Sequence, residues 1–296
     1  MERKEFLSRK KVGMILRVYA TKAEDVPNRA AMIEKAVVAA RKATVDDKSL
    51  VSRIDVLVWI DQNYKDADCG QTAEALRQKF SGEKNLFVSE VAHGDVFCGI
   101  LNYGVVHQLR HGCDYSLIVS AEAFSYMTPE TMEVMVDAAC SGARAIGVAI
   151  NELTQSILEG RIANTFAMWH NESLMTIGGF DLRAAKPISE FTTHYMRGWS
   201  EEKGDNVYYH LAGVEEVIPL ARLAETFGPC IAPILPSGEG VQRYQAPDPA
   251  KQPDLWFRHI SKMGTKLERQ SAHLAAIGCD VSYIRGGVMS EYRHQQ

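Results

Sequence analysis

Residues 54–60 read IDVLVWI, a run in which every residue except Asp55 is apolar. Strands of a parallel sheet carry such runs because other elements cover both of their faces. Strand-like segments recur through the first half of the chain and predict strands at residues 12–19, 85–91, 114–120 and 144–150. Between them, the helical spacing of apolar residues predicts helices at residues 27–41, 71–80, 97–111 and 129–142.

The alternation of strands and helices predicts an α/β fold with a mostly parallel sheet flanked by helices. Ligands of such folds bind beyond the carboxyl ends of the strands. In this chain the strand ends are Tyr19-Ala20, Asp61-Gln62 and Ser120-Ala121-Glu122. We therefore expect the binding site to lie where these three segments meet.

The second half of the chain is less regular. Residues 178–181 (GGFD) predict a turn, and a long polar stretch follows from residue 182 to about residue 211. The remaining patterns predict a helix at 215–227, a strand at 231–235, a proline-rich loop at 236–253 and an amphipathic helix at 255–277. We expect one domain over residues 1–236 and a linker with a helical extension over 237–296. The extension would either cover the mouth of the site or join a homodimer.

Composition narrows the classes of function. The chain has 296 residues, 46% hydrophobic residues and a formal net charge of −4, so it can bury a core and has no basic excess for nucleic acid. No apolar run is long enough to cross a bilayer and no signal-peptide core is present, so we expect a cytoplasmic protein. The six cysteines lack Cys-x-x-Cys spacing, which favours buried thiols over disulfides or a zinc site.

Several short motifs follow one another along the chain. They are Asp61 with the polar loop 66–73 (DADCGQTA), Asn102-Tyr103-Gly104, the strand end Ser120-Ala121-Glu122, Trp169 with 177–181 (IGGFD), and 213–217 (GVEEV) before Leu220 and Arg222. With the first strand, this order resembles the GT-A glycosyltransferases, especially glycosyltransferase family 2, over residues 12–236. The resemblance implies a GT-A, Rossmann-like fold.

The same resemblance implies an enzyme that moves a sugar, with inversion, from a nucleotide-diphosphate donor to a hydroxyl group of an acceptor. A divalent metal ion, Mn²⁺ or Mg²⁺, would stabilise the leaving diphosphate. A carboxylate would accept the proton of the hydroxyl group. The motifs do not specify the acceptor.

The matched motifs imply roles for individual residues. The donor side comprises Tyr19, Asp61, Asn102, Ser120 and Ala121, and the metal ligand is Glu122. The acceptor side comprises Trp169, His170, Gly179 and Asp181. The catalytic base is Glu216, with Glu215 as the fallback. Ordinary structural roles compete with these, such as a turn for Asp61, the core for Trp169 and a helix start for Glu216.

Two motifs depart from the family pattern. Ser120-Ala121-Glu122 replaces Asp-x-Asp, and Glu215-Glu216 replaces Glu-Asp. Without a metal, a cation must replace it, and the candidates are Arg17, Lys65, Arg161, His170 and Arg183. A second hypothesis is therefore a catalytically silent relative that binds a nucleotide sugar or a protein partner. A nucleotidyltransferase is disfavoured because residues 17–22 (RVYATK) offer no glycine for a phosphate loop.

Overall fold

The computed structural model describes residues 1–20, 23–60, 70–92, 97–149, 161–182, 196–200, 205–209, 214–242, 246–264 and 266–293. Its strands are β1 (Val12–Val18), β2 (Thr44–Val45), β3 (Lys48–Ser49), β4 (Val51–Ile60), β5 (Leu86–Ala92), β6 (Tyr115–Ser120), β7 (Ala145–Ala149), β8 (Ile162–His170), β9 (Met196–Ser200), β10 (Asp205–Tyr209) and β11 (Ile231–Ile234). Its α-helices are α1 (Arg3–Arg9), α2 (Val26–Lys42), α3 (Gln71–Lys79), α4 (Phe97–Arg110), α5 (Pro129–Cys140), α6 (Asn171–Thr176), α7 (Val217–Phe227), α8 (Pro253–Gly264), α9 (Lys266–Ala275), α10 (Val281–Gly287) and α11 (Ser290–Arg293).

A seven-stranded sheet forms the centre of the molecule, in the order β11-β7-β8-β6-β1-β4-β5. Neighbouring strands run parallel except at β8, which is antiparallel to both β6 and β7. The five strands predicted from the first half of the chain are present as β1, β4, β5, β6 and β7, and the four predicted helices between them as α2 to α5. The predicted α/β class with a mostly parallel sheet is therefore confirmed.

Several elements were not predicted. The interior strand β8 contains the apolar run 166–169 (FAMW), which fits a buried helix as well as a strand. The polar stretch after residue 182 contains the antiparallel pair of β9 and β10. The N-terminal helix α1 was also missed, although its Phe6 is fully buried against Tyr115.

Helix α4 packs closely on the sheet. A Cβ atom added at Gly104 would lie 2.9 Å from Cδ1 of both Ile15 and Leu57, which belong to β1 and β4. A larger side chain at this position would force the ends of these two side chains to shift. Gly104, part of the Asn102-Tyr103-Gly104 motif, thus has a packing role between α4 and the sheet.

Parallel pairing brings the predicted strand ends to one edge of the sheet. Arg17 of β1 is in register with Ser120 of β6, and Val18 is in register with Val58 of β4. A 3₁₀ helix, Ala121–Tyr126, begins directly after β6 and packs against α2. This arrangement places Ser120, Ala121 and Glu122 beside the end of β1.

The C-terminal part is helical, as predicted, but the single helix expected at residues 255–277 is divided into α8 and α9. Gly264 ends α8, which agrees with the low helix propensity of glycine. Helix α10 packs on α7, and Gly287 O at its end accepts a hydrogen bond from Cys230 N. Met289 N, just beyond α10, donates a hydrogen bond to Ile231 O of β11. The boundary at residue 236 remains a prediction. Within the described residues, no helix combines the length and apolar character needed to span a membrane.

Candidate active site

A pocket of about 170 Å³ lies at the carboxyl ends of β1 and β6. Its lining residues come from both strand ends and from α2; they are Arg17, Val18, Tyr19, Arg29, Met32, Ser120, Ala121 and Glu122. The structure therefore brings together the predicted donor residues Tyr19, Ser120 and Ala121 with the predicted metal ligand Glu122. Asp61, the remaining strand-end prediction, lies outside the described residues.

Both oxygens of the Glu122 carboxylate have protein partners. Ser120 Oγ donates a hydrogen bond to Oε2, and the Arg29 guanidinium lies 3.7 Å from Oε1. The same guanidinium lies 5.5 Å from the centre of the Tyr19 ring. Sequence reasoning missed Arg29 because the strand-end rule does not consider the first turn of the following helix.

Arg17 supplies a second positive charge to the pocket. Burial lowers the pKa of its guanidinium to about 10, while the carboxylates of Glu215 and Glu122 oppose that shift. The pKa stays well above 7, so Arg17 is charged at neutral pH. Among the candidate cations named from the sequence, Arg17 lines the pocket, whereas Lys65 and Arg183 lie outside the described residues.

The Gly-Gly turn at residues 178–181 is held by Asn102 of α4. The Asn102 side chain accepts a hydrogen bond from Phe180 N and donates one to Phe180 O, both at 2.8 Å. Gly179 has φ +74°, and a Cβ atom there would lie 2.6 Å from Asn102 Oδ1, so glycine is required for conformation and for space. Both ends of the Asn102 amide bind the turn, which is a structural role and not the donor contact expected from the sequence.

This clamp gives a testable stability prediction. Asn102→Ala should lower the free energy of unfolding by about 1–3 kcal/mol, because two hydrogen bonds are lost and the Phe180 backbone groups are left unpaired. Urea denaturation measures the change. Gln78→Ala is the matched control, since Gln78 is exposed and its side-chain amide donates to the exposed Glu74. Equal effects of the two substitutions would show that Asn102 does not hold the turn.

Asp181 at the end of the turn is ion-paired with α7. Arg222 Nη2 lies 3.4 Å from Asp181 Oδ2, and Arg222 Nη1 donates to Ile177 O at 3.4 Å. Arg222 therefore bridges the two sides of the turn and anchors it to α7. The pairing connects two motifs that the sequence analysis treated separately, the GGFD turn and the segment beginning at residue 213.

Glu215 and Glu216 precede α7 and have different surroundings. Glu215 is half-buried, and its Oε2 lies 3.4 Å from Nδ2 of Asn164 on β8. The Glu216 side chain is only 5% exposed, and its Oε1 lies 3.9 Å from Lys266 Nζ on α9. That oxygen accepts no hydrogen bond from the described residues. Glu215 and Glu216 are adjacent in the sequence but have different environments. The charge of Glu215 acts on the guanidinium of Arg17, whereas Glu216 lies beside Lys266 of the C-terminal helix α9.

Cys98 in the first turn of α4 lies among these acids. Burial raises the pKa of the Cys98 thiol, and the carboxylates of Glu215, Asp181 and Glu216 raise it further. A thiol in such a position stays protonated and is a poor nucleophile.

Trp169 and His170 lie at the other edge of the sheet. Because β8 is antiparallel to β6, His170 is in register with Tyr115 at the amino end of β6, far along the strand from Ser120. Trp169 is fully buried and packs edge-on against Phe180. Burial, together with Arg144, lowers the pKa of His170, whose Nδ1 accepts a hydrogen bond from Ser173 N at the start of α6. The structure does not bring these two residues to the pocket.

No protein-family model matches this sequence, and no curated protein does so either. Solved structures do match. A mannosyltransferase of Pyrobaculum calidifontis, in complex with GDP-Man and Mn²⁺, is 16% identical and has a TM-score of 0.42, with 91% of this chain and 75% of that chain covered. A glucosyl-3-phosphoglycerate synthase of Mycobacterium tuberculosis, in complex with Mg²⁺ and UDP, is 13% identical with a TM-score of 0.44, covering 91% and 83%.

A third match belongs to another class of enzyme. The 4-diphosphocytidyl-2C-methyl-D-erythritol synthase of Anaerococcus prevotii is 8% identical and has a TM-score of 0.43, with 86% of this chain and 98% of that chain covered. All three TM-scores are below 0.5, so these matches carry no conclusion about the activity of this chain.

Proposed function

We propose that this protein is a glycosyltransferase that binds a nucleotide-diphosphate sugar at the carboxyl ends of β1 and β6. The observation that carries the proposal is the pocket itself. It combines an exposed aromatic ring, Tyr19, with the guanidinium groups of Arg17 and Arg29 at the sheet edge where α/β folds bind ligands. An aromatic face suits a nucleobase, and guanidinium groups suit the oxygens of a diphosphate.

The proposed reaction is a single displacement. The acceptor oxygen attacks the anomeric carbon of the sugar, its proton passes to a carboxylate, and the bond from that carbon to the diphosphate breaks with the electron pair leaving on the diphosphate. Attack from the face opposite the leaving group inverts the configuration. Arg17 and Arg29 would stabilise the charge that develops on the leaving group.

We propose Glu215 as the carboxylate that accepts the proton. It is half-buried and its charge acts directly on Arg17 in the pocket wall. A base must be accessible to the acceptor, and Glu216 is almost fully buried beside Lys266. The order of the two candidates is therefore the reverse of the one that the sequence resemblance implied.

Donor binding is testable by thermal shift with UDP-, GDP- and dTDP-sugars. At a donor concentration 100 times the Kd, binding should stabilise the fold by about 2.7 kcal/mol. Tyr19→Ala should reduce the shift, because the ring is expected to stack on the base. Tyr283→Ala on α10, where the ring is 40% exposed, is the matched control and should leave the shift unchanged. No shift with any donor would count against the proposal.

A second candidate function is a silent relative that binds a nucleotide sugar without turnover. The position of Glu122 favours it, because the only acid in the Asp-x-Asp segment is engaged by Ser120 and Arg29. Donor binding without hydrolysis or transfer to a panel of hydroxyl acceptors would select this function over the first.

The C-terminal helices have two proposed roles. The ion pair of Lys266 with Glu216 supports the role of covering the site from α9. Leu255, Ile260 and Leu267 are 50%, 41% and 49% exposed, which leaves apolar surface for a second copy of the chain. Light scattering of the whole protein distinguishes a monomer, in which the helices only cover the site, from a dimer.

A further inference from the structure

The family resemblance implies a divalent metal ion at Glu122, and the described residues of the pocket do not fit one. Mg²⁺ and Mn²⁺ bind oxygen ligands, commonly one or two carboxylates that are free to coordinate them, together with phosphate oxygens and water. Among the described residues that line the pocket, Glu122 is the one acidic side chain, and Ser120 and Arg29 already contact its two oxygens. In the part of the chain that the structure describes, no group of three or more His, Cys, Asp or Glu side chains is placed to hold a metal.

The charges of the pocket also disfavour a divalent metal ion. Its described lining carries two guanidinium groups and one carboxylate, and Glu215 outside that lining offsets part of the charge of Arg17. A divalent cation placed beside Glu122 would be repelled by Arg29, which lies 3.7 Å from that carboxylate, and by Arg17 in the adjacent strand. A multiply charged anion would be attracted by both guanidinium groups.

We propose that Arg17 and Arg29 bind the diphosphate group directly, without a divalent metal ion. The inference rests on the proposed function only for the identity of the anion as a nucleotide diphosphate. Guanidinium groups form paired hydrogen bonds with phosphate oxygens, so two of them can neutralise much of the charge that a metal ion would otherwise bind.

Glu122 acts in this arrangement as a displaceable partner of Arg29. Its side chain is 63% exposed and its contact with Arg29 is long, so the pair contributes little and separates readily. When the anion arrives, Arg29 exchanges the carboxylate for phosphate oxygens. Ser120 Oγ has a single hydrogen, which it donates to Glu122 in the structure, so it can donate to the anion only after it releases Glu122. Glu122 is therefore expected to compete with the ligand and not to assist it.

Calorimetry with inorganic pyrophosphate, UDP and GDP tests the inference on the whole protein. Each titration is done in EDTA and again with Mn²⁺. We expect binding in EDTA that Mn²⁺ does not strengthen. Arg29→Met should weaken it at least about tenfold, the loss of a charged hydrogen bond. Glu122→Gln should leave it equal or tighter. Arg41→Met is the matched control, since Arg41 pairs with Glu83 away from the pocket, and should have no effect.

Arg17 lies in the central sheet, where a change to methionine can disturb folding as well as binding. Arg17→Met is therefore tested together with the conservative Arg17→Lys, which keeps the charge. A folded Arg17→Lys protein that binds more weakly than the parent supports the inference. Binding that requires Mn²⁺, no binding of pyrophosphate, or full affinity in Arg29→Met overturns it. If the protein binds pyrophosphate but no nucleotide sugar, the metal-free anion site is supported and the proposed glycosyltransferase function is rejected. If it binds a nucleotide sugar only with Mn²⁺, the proposed function is supported and the metal-free site is rejected.

Discussion

Replacing Glu215 with glutamine is expected to reduce kcat by about 10²–10⁴-fold, the usual effect of removing a general base. The amide has the size of the carboxylate and can keep the contact with Asn164, but it cannot accept the proton of the acceptor hydroxyl. Because the donor is bound at the pocket residues, its affinity should remain close to that of the parent. Turnover at saturating donor and a separate titration of the donor measure the two quantities.

Two further variants give this prediction its controls. Glu225→Gln changes an exposed acid on α7 and should leave turnover unchanged. Glu216→Gln tests the other candidate base. If Glu216→Gln abolishes turnover while Glu215→Gln does not, the order implied by the sequence resemblance is right and the one proposed from the structure is wrong. If the parent protein transfers no sugar at all while it binds one, the silent relative takes the place of the enzyme.

The sheet could be predicted from the sequence because most residues of β1, β6 and β7 and the centre of β4 are buried. Such strands leave continuous apolar runs, as in residues 54–60, and helical patterns separate them clearly. Strand β8 could not be predicted in the same way. It enters the sheet between β6 and β7, so its place depends on long-range pairing that no local pattern records.

The direction of β8 also explains why Trp169 and His170, two of the predicted site residues, lie away from the pocket. The order of motifs along the chain says nothing about which edge of the sheet a strand ends at. Since β8 is antiparallel to its neighbours, Trp169 and His170 at its end reach the edge opposite Ser120. Tyr19 and Glu122 lie together at the pocket because they follow parallel strands, whose carboxyl ends meet at one edge of the sheet.

The direction in which each side chain points was the other property that the sequence could not predict. Glu215 and Glu216 are adjacent and chemically alike, and the resemblance ranked them by position alone. Only the packing of α7 against α9 shows that Glu216 is turned to Lys266. Arg29 was overlooked for a similar reason, because the angular position of a residue on α2 relative to β6 is set by tertiary packing.

Lys266→Met is expected to lower the free energy of unfolding by about 3 kcal/mol, near the lower end of what removing one partner of a buried ion pair costs. The side chains of Lys266 and Glu216 are 17% and 5% exposed. Methionine fills the space of the lysine stem but leaves the Glu216 carboxylate buried without its charged partner. Urea denaturation of the parent and the variant at one pH measures the difference.

A double-mutant cycle shows whether the loss comes from this ion pair. Lys266→Met combined with Glu216→Gln should recover more than half of the lost stability, because a neutral amide tolerates burial far better than an unpaired carboxylate. Lys251→Met, which removes an exposed partner of Asp248, should change stability by less than about 0.5 kcal/mol. Strict additivity of the two buried substitutions would mean that the pair does not join α9 to the start of α7. The covering role of the C-terminal helices would then lose its support, because that ion pair is the contact from which the role is proposed.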